Sequence, residues 1–313
     1  MSTIIQTISR PWSPPPVPDA IPHGDMPGDS IHIGETHQQK ANVIFPELLK
    51  LLPAIFTLNP HQRAVIAVCG GSGVGKSETA SLLSHYFRSL GIGSYTLSGD
   101  NYPHRIPKYN DAERLRIFRK GGLRGLLENG LYTQAIGEQA RAFQREGLDG
   151  DTALEAQYPW MATYNRTGAA ALQAYLGSPQ EIDFKELNEI VSQFKNGADA
   201  IFLKRMGREE TELWYERVDF SATPILIIEW THANNGHLHG VDVPILLNST
   251  PAETLAYRKT RHRDGGVDSP FTTMVLALEQ KLLESQAYKA KIIVSKAGEL
   301  LSYRAYRRLM AEE

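Results

Sequence analysis

The chain has little that would tie it to a membrane, to nucleic acid or to an oxidising compartment. Its 313 residues include one cysteine, Cys69, so no internal disulfide can form, which fits a reducing compartment. No run approaches the roughly 20 apolar residues of a membrane span, and no secretory signal opens the sequence. The 33 basic and 35 acidic residues nearly cancel. We therefore expect a cytoplasmic protein that binds neither nucleic acid nor membrane.

The first 40 residues differ in composition from the rest. Seven of the 18 prolines fall between Pro11 and Pro27. Proline lacks a backbone N–H donor, so such a stretch cannot form a helix or a central strand. We predict that residues 1–40 form an extended arm or a disordered tail, and that residues 41–313 form the folded domain.

Apolar runs of strand length alternate with helical patterns in the remaining sequence. The run Ala64–Cys69 is typical of a strand buried on both faces of a parallel sheet. Further strands are predicted at 94–97, 224–228, 244–247 and 291–294, and helices at 45–58, 77–90, 183–195, 251–263 and 271–285. This alternation predicts an α/β fold with a mostly parallel sheet flanked by helices. Residues 101–176 are predicted to be a helical insertion after the second strand, near an acceptor site or a homodimer contact.

A phosphate-binding loop is the strongest signal in the sequence. Residues 70–77 match G-x-x-x-x-G-K-[ST] at every fixed position. The predicted nucleotide-binding residues are Gly70, Gly71, Ser72, Gly73, Val74, Gly75, Lys76 and Ser77, together with Glu78. Backbone N–H groups and Lys76 would meet the phosphates, and the Ser77 hydroxyl would ligate Mg²⁺. Because the motif follows an apolar strand and opens an amphipathic helix, it predicts a P-loop that binds ATP and Mg²⁺.

Two carboxylates follow predicted strands. Asp100 comes just after the second strand, where open α/β sheets place their ligands. It is a candidate for accepting the proton of an attacking hydroxyl, and the alternative is an acid that caps a turn. Glu229 ends the apolar run 225–228 at the position of a Walker B acid. It could hold Mg²⁺ or orient the acceptor, and the alternative is a surface acid at a strand end.

Two groups of cations are candidates for binding anions. Arg258, Arg261 and Arg263 lie on one predicted helix before Gly265–Gly266, which suits a lid over the phosphates. The alternative is a solvated helix face. The segment 104–124, which includes Arg105, holds seven Lys or Arg against two acids. It could meet an anionic substrate or form a solvated helical face.

These motifs together resemble the phosphoribulokinase/uridine kinase family of P-loop kinases. The likeness is carried by AVIAVCGGSGVGKSETASLL, SYTLSGDNY, LGSPQEIDFKELNEIVSQFKNGADAIFL, PILIIEW and VDVPILLNSTPAETLAYRKTRHRDGG, in that order. The resemblance implies transfer of the γ-phosphate of ATP to a hydroxyl of a sugar, sugar phosphate or nucleoside. It would make Lys76, Asp100 and Glu229 catalytic and the three arginines lid contacts.

The resemblance is weakest at the acceptor. Tyr102 and Arg105 follow the acid of the second strand and are predicted to contact the acceptor together with Asp100. Uridine kinases usually carry Pro-x-Tyr-Asp on a hairpin where this chain has Leu203-Lys204-Arg205-Met206. Lys204 and Arg205 would suit an anionic acceptor, whereas exposed hairpin charges are the alternative.

A second functional class stays open at this stage. An ATP-driven regulatory NTPase or nucleotide-binding switch would carry the same P-loop and need no small-molecule acceptor. The sequence contains no Asn-Lys-x-Asp motif, so it does not predict a GTPase.

Overall fold

The computed structural model describes residues 3–255 and 269–312 and divides into two compact units. The first unit comprises residues 1–103, 183–250 and 283–313, and the second comprises 104–182 and 251–282. These units do not follow the sequence-based division into an arm, 1–40, and one folded domain, 41–313. The arm lies within the first unit, and the second unit combines most of the predicted insertion with residues 251–282.

The first unit contains the strands and the P-loop. Its strands are β1 (Ala64–Gly70), β2 (Ser94–Ser98), β3 (Ala200–Met206), β4 (Leu213–Asp219), β5 (Ile225–Glu229), β6 (Val243–Leu247), β7 (Ile292–Val294) and β8 (Leu300–Leu301). The helices of the two units, numbered in chain order, are α1 (Thr3–Ile8), α2 (Glu35–Leu58), α3 (Lys76–Ser89), α4 (Pro107–Glu128), α5 (Gln134–Glu146), α6 (Trp160–Tyr175), α7 (Phe184–Lys195), α8 (Pro270–Gln286) and α9 (Tyr303–Glu312). Helices α4, α5 and α6 belong to the second unit, which also takes the first part of α8.

The main sheet has the strand order β2-β5-β1-β6-β7-β8, and all its neighbours are parallel except β7 and β8. This confirms the predicted α/β fold with a mostly parallel sheet. The register places Glu229 level with Val68 on β1 and with Ser98 on β2. The end of β5, the start of the P-loop and the turn after β2 therefore share one edge of the sheet.

Helices α2 and α3 supply much of the core of the first unit. Ile44, Leu48 and Leu52 of α2 are completely buried, together with Leu82 and Phe87 of α3. Helix α2 begins at Glu35, ten residues before the predicted start, because the apolar pattern that marks a helix begins only near its middle. By length and composition alone α2 could also cross a membrane. In the structure, its apolar stripe packs in this core.

The proline-rich segment before α2 is packed onto the first unit. We refer to residues 9–34, between α1 and α2, as the N-terminal segment; it has no regular secondary structure. The predicted arm or tail over residues 1–40 is therefore wrong at Thr3–Ile8 and from Glu35 onward, where the chain is helical. The Trp12 ring lies 4.8 Å from the Phe45 ring and 5.3 Å from the Tyr86 ring. Ile21 is 8% exposed. The segment is thus an extended arm held by apolar contacts.

The second unit is a helical assembly built around closely packed small residues. A Cβ on Gly122 of α4 would lie 2.6 Å from the Tyr164 ring, and one on Gly168 of α6 would lie 2.7 Å from the Phe118 ring. Arg119 donates two hydrogen bonds to Asp149, at 2.8 and 2.9 Å. Apolar side chains of α8 also pack in the core of this unit, namely Phe271, Met274, Val275 and Leu278.

Candidate functional site

The P-loop connects β1 to α3 in a conformation that requires its glycines. A Cβ on Gly70 would lie 2.6 Å from the Leu247 carbonyl oxygen. Gly73 and Gly75 have φ angles of +79° and +90°, in the region that favours glycine. Gly75 is the N-cap of α3, so the unpaired N–H groups and the positive end of the helix dipole face the loop. This arrangement fits a phosphate group.

The two functional side chains of the motif make defined contacts. Lys76 Nζ donates to the Gly71 carbonyl at 3.0 Å, across the loop. Ser77 Oγ donates to Glu229 Oε2, also at 3.0 Å. Glu78, which was included in the predicted nucleotide site, is buried within α3 and 1% exposed. The P-loop and the end of β5 are therefore joined directly by Ser77 and Glu229.

Glu229 and Asp100 are brought together at this edge of the sheet. Glu229 is 4% exposed, and its pKa is raised to about 7, mainly by burial and further by the charge of Asp100. Lys76 and hydrogen bonds from Ser98 and Ser77 act in the opposite direction. A bound cation would favour the charged form of this carboxylate. The hydroxyl of Ser77 and the carboxylate of Glu229 are oxygen donors, which is the type that Mg²⁺ prefers.

Asp100 lies in a tight turn that packs against the ring of Trp230. The turn is a single 3₁₀ turn, Gly99–Asn101, and the Asp100 side chain is exposed. Any Cβ on Gly99 would run into the ring of Trp230, the residue after Glu229. The turn thus lies directly on the chain that leaves β5, and this contact requires a glycine next to Asp100.

Sequence reasoning missed two residues of α2 that touch the P-loop. Lys40 is 5% exposed, and its Nζ donates to the Val74 carbonyl at 3.0 Å. The His37 ring lies over Gly75, such that a Cβ there would be 2.6 Å from His37 Cδ2. The spacing of residues in α2 could have indicated that Lys40 is buried. Lys40 occupies the same helical stripe as Ile44 and Leu48, at the four-residue spacing of a buried face.

Sequence reasoning also missed Asp25, which lies in the N-terminal segment. Its carboxylate accepts hydrogen bonds from the Ser98 N–H at 2.7 Å and the Asn101 side chain at 3.0 Å. It also accepts from the Tyr95 hydroxyl at 2.8 Å and Arg205 at 2.9 Å. Nothing in the local pattern of a proline-rich stretch distinguishes this aspartate.

The predicted acceptor contacts of the first unit are largely buried. Tyr102 is fully buried, and Lys204 Nζ lies 5.2 Å from the centre of its ring. Lys204 Nζ is also 3.5 Å from Glu186. Arg205 is 3% exposed and forms ion pairs with Asp25 and, at 3.0 Å, with Glu216. Both cations are therefore already paired with carboxylates of the protein.

The remaining predicted cations lie elsewhere. Arg105 belongs to the second unit, where it donates to the Tyr175 hydroxyl at 3.1 Å. It lines a groove of about 380 Å³ with Arg116, Lys120 and Arg124. Arg258, Arg261 and Arg263 lie outside the described residues. Their predicted role as lid contacts stays a prediction.

Comparison with curated proteins returns two kinases. No protein-family model matches the chain. The chain is 39% identical over 240 residues to the bifunctional alpha-galactosidase/sucrose kinase AgaSK of Mediterraneibacter gnavus, covering 77% of this chain and 21% of that protein. It is 37% identical over 68 residues to the adenylyl-sulfate kinase of Erwinia tasmaniensis, covering 21% of this chain and 34% of that protein. The chain thus spans about a fifth to a third of the length of these relatives.

Two solved structures that align with this chain are named as kinases. A candidate fructose transport system kinase from Silicibacter sp. aligns with a TM-score of 0.45 and 15% identity, over 79% of this chain and 94% of that chain. A possible uridine kinase from Bacillus stearothermophilus aligns with a TM-score of 0.44 and 14% identity, over 82% and 97%. With its P-loop at the edge of a parallel sheet and its sequence similarity to proteins named as kinases, the chain is a P-loop protein related to kinases, as its sequence predicted.

Proposed function

We propose that the protein is an ATP-dependent kinase that transfers the γ-phosphate to a hydroxyl of a small sugar. One observation carries the proposal: the P-loop residues Lys76 and Ser77 and the carboxylates Glu229 and Asp100 meet at the carboxyl edge of one parallel sheet. These are the parts that phosphoryl transfer requires, namely a phosphate cradle, a cation site and a group that takes the acceptor proton.

Each residue has a distinct role in this reaction. The N–H groups of the loop and the Lys76 ammonium bind the β- and γ-phosphates and offset the charge that develops on them. Ser77 and Glu229 would hold Mg²⁺, which supplies electrostatic stabilisation of the phosphates when bound. The acceptor oxygen forms a bond to the γ-phosphorus while the bond to the β,γ-bridging oxygen breaks. ADP leaves, and Asp100 takes the proton of the acceptor hydroxyl.

The paired state of Lys204 and Arg205 favours a neutral acceptor. Had these cations been unpaired at the surface, an anionic sugar phosphate would be the better ligand. Glu186, Asp25 and Glu216 already offset their charges. The similarity to a protein named as a sucrose kinase supports the same choice. A neutral sugar such as sucrose or fructose therefore comes first, ahead of a sugar phosphate or a nucleoside.

An acceptor screen tests the proposal. ADP release would be measured with Mg-ATP and sucrose, fructose, a hexose phosphate or uridine, each with and without EDTA. We expect turnover that depends on a neutral sugar and on Mg²⁺, with a phosphorylated sugar detected by mass spectrometry. Slow ATP hydrolysis that no acceptor changes would contradict the proposal and would favour a nucleotide-driven switch.

A further inference from the structure

Asp25 lies between elements that the proposed reaction uses, although no motif includes it. Its two carboxylate oxygens have different partners. Oδ1 accepts from the Ser98 N–H at 2.7 Å and from Asn101 Nδ2 at 3.0 Å. Oδ2 accepts from the Tyr95 hydroxyl at 2.8 Å and from Arg205 Nη1 at 2.9 Å. The side chain is 8% exposed, so these contacts are shielded from solvent.

The Oδ1 partners enclose the turn that carries Asp100. Ser98 comes just before this turn and Asn101 ends it, so one oxygen holds both ends of a four-residue stretch. Asn101 is completely buried and uses its own Oδ1 to accept from the Met206 N–H at 3.0 Å. The turn is therefore attached on one side to the N-terminal segment and on the other to β3.

The Oδ2 partners attach the same carboxylate to the β3–β4 hairpin. Arg205 donates to Asp25 through Nη1 and to the Tyr95 hydroxyl through Nη2, at 2.8 Å. Its Nε donates to Glu216 on the opposite strand. A buried carboxylate is costly unless it is hydrogen-bonded and paired with a cation. Asp25 has four donors, one of them a guanidinium, so the network satisfies it.

The segment also passes close to Glu229. A Cβ on Gly24 would lie 3.5 Å from Glu229 Oε1 and 3.6 Å from Thr96 Cγ2. The residue before Asp25 thus lies against the second carboxylate of the site. The position of this backbone depends on the Asp25 network, because Asp25 is the adjacent residue and is held by four hydrogen bonds.

We propose that Asp25 is a positioning residue for phosphoryl transfer, which holds the Asp100 turn in place for the acceptor. This inference rests on the proposed kinase function, since Asp100 is the group that takes the acceptor proton there. The P-loop does not contact Asp25 through any of these four bonds. Loss of Asp25 should therefore disturb the two carboxylates of the site and leave binding of metal-free ATP at the P-loop intact.

The test compares Asp25→Ala, Asp25→Asn and the control Asp19→Ala. Asp19 belongs to the same segment and is exposed. We expect Asp25→Ala to lower kcat by about 10²-fold, the effect of misplacing a reacting group by about 1 Å. The Kd for ATP, measured by equilibrium titration without Mg²⁺, should stay within about twofold of the wild-type value, which is well under the tenfold that 1.4 kcal/mol represents. Asp25→Asn keeps an oxygen for Ser98 and Asn101, so it should retain more activity than Asp25→Ala.

Amide hydrogen exchange gives a readout that needs no acceptor. Exchange at residues 98–101 should become faster in Asp25→Ala, while exchange within α3 stays as in the wild type. Unchanged exchange at 98–101 in a folded variant would overturn the inference. So would wild-type kcat, or a kcat loss of equal size in Asp19→Ala.

The outcomes separate this inference from the function on which it rests. If the wild-type protein phosphorylates none of the acceptors, the proposed function fails, and hydrogen exchange then tests only whether Asp25 holds the Asp100 turn in place. If Asp25→Ala does not fold, Asp25→Asn is used instead, with a smaller loss of kcat expected, and wild-type kcat in this variant together with wild-type exchange at 98–101 would overturn the inference. If both variants lose the circular dichroism signal of the native fold, Asp25 has a structural role only and the inference is wrong.

Discussion

Replacing Lys40 by methionine should weaken nucleotide binding although no motif includes this lysine. The side chain is buried in α2 and donates a hydrogen bond to the Val74 carbonyl. That carbonyl and the Gly75 N–H belong to one planar trans peptide, so they point in opposite directions. Holding the carbonyl toward Lys40 therefore turns the N–H of Gly75 away from Lys40, and we expect this N–H to be one of the loop donors that meet the phosphates.

The size of the effect follows from the bond that is lost. A hydrogen bond with a charged partner contributes about 1.5–3 kcal/mol. A difference of 1.4 kcal/mol corresponds to a tenfold change in a dissociation constant. If the loop must recover its geometry on binding, Lys40→Met should raise the Kd for ATP by about 10- to 100-fold. ADP should be affected similarly, because the loop N–H groups meet the phosphates that both nucleotides share.

Calorimetric titration of ATP and ADP, with and without Mg²⁺, would measure the change. Lys50→Met is the matched control, because Lys50 lies on the same helix but is 68% exposed and pairs with Glu47 at the surface. Urea unfolding of both variants would show that the fold is retained. A folded Lys40→Met variant that binds ATP with the wild-type Kd would refute the argument that Lys40 orients the loop.

Three further predictions concern the site and its support. Asp100→Asn should keep the ATP affinity but lose most acceptor-dependent turnover; if ATP binding collapsed instead in calorimetry, Asp100 would not be the base. Burial raises the pKa of the Cys69 thiol from 9.0 to about 12, which lowers the thiolate fraction at pH 8 about 10³-fold. The thiol should therefore react with Ellman's reagent only after unfolding, and rapid labelling of the native protein would contradict this. Arg63 donates to the carbonyls of Phe194, Ala198 and Phe220 at 2.8–3.0 Å. The Phe194 and Phe220 carbonyls also accept from the N–H groups of Gly197 and Thr223, so Arg63→Met removes the donor of the Ala198 carbonyl and should lower the free energy of unfolding by about 1–3 kcal/mol. An effect no larger than that of exposed Arg217→Met in urea would contradict this.

The parts predicted correctly from the sequence are those encoded locally. The P-loop is a short motif whose glycines, lysine and serine act within eight residues, and its flanking strand and helix have their own periodicity. The parallel sheet follows from buried apolar runs such as Ala64–Gly70. The ends of these runs also explain why Asp100 and Glu229 lie at one edge of the sheet, because parallel strands bring their carboxyl ends together; the roles predicted for the two residues stay predictions.

The parts that escaped prediction depend on partners distant in sequence. Arg205 looked like a free hairpin cation because its partner, Asp25, lies 180 residues away. Lys40 and Val74 are 34 residues apart. The assignment of 251–282 to the second unit likewise depends on long-range apolar contacts of α8. Local pattern carries no information on such pairs, so a proline-rich stretch was read only as an arm.

The position of the N-terminal segment has a consequence for where the working domain begins. A chain shortened to start at residue 41 would keep every residue of the P-loop, both carboxylates and all strands of the sheet. It would lose Asp25, His37 and Lys40, and with them contacts to the Asp100 turn and to Val74 and Gly75. Boundaries drawn from the motifs alone would thus separate the phosphate loop from side chains that touch it. An alignment with relatives should therefore include the sequence that precedes their first strand.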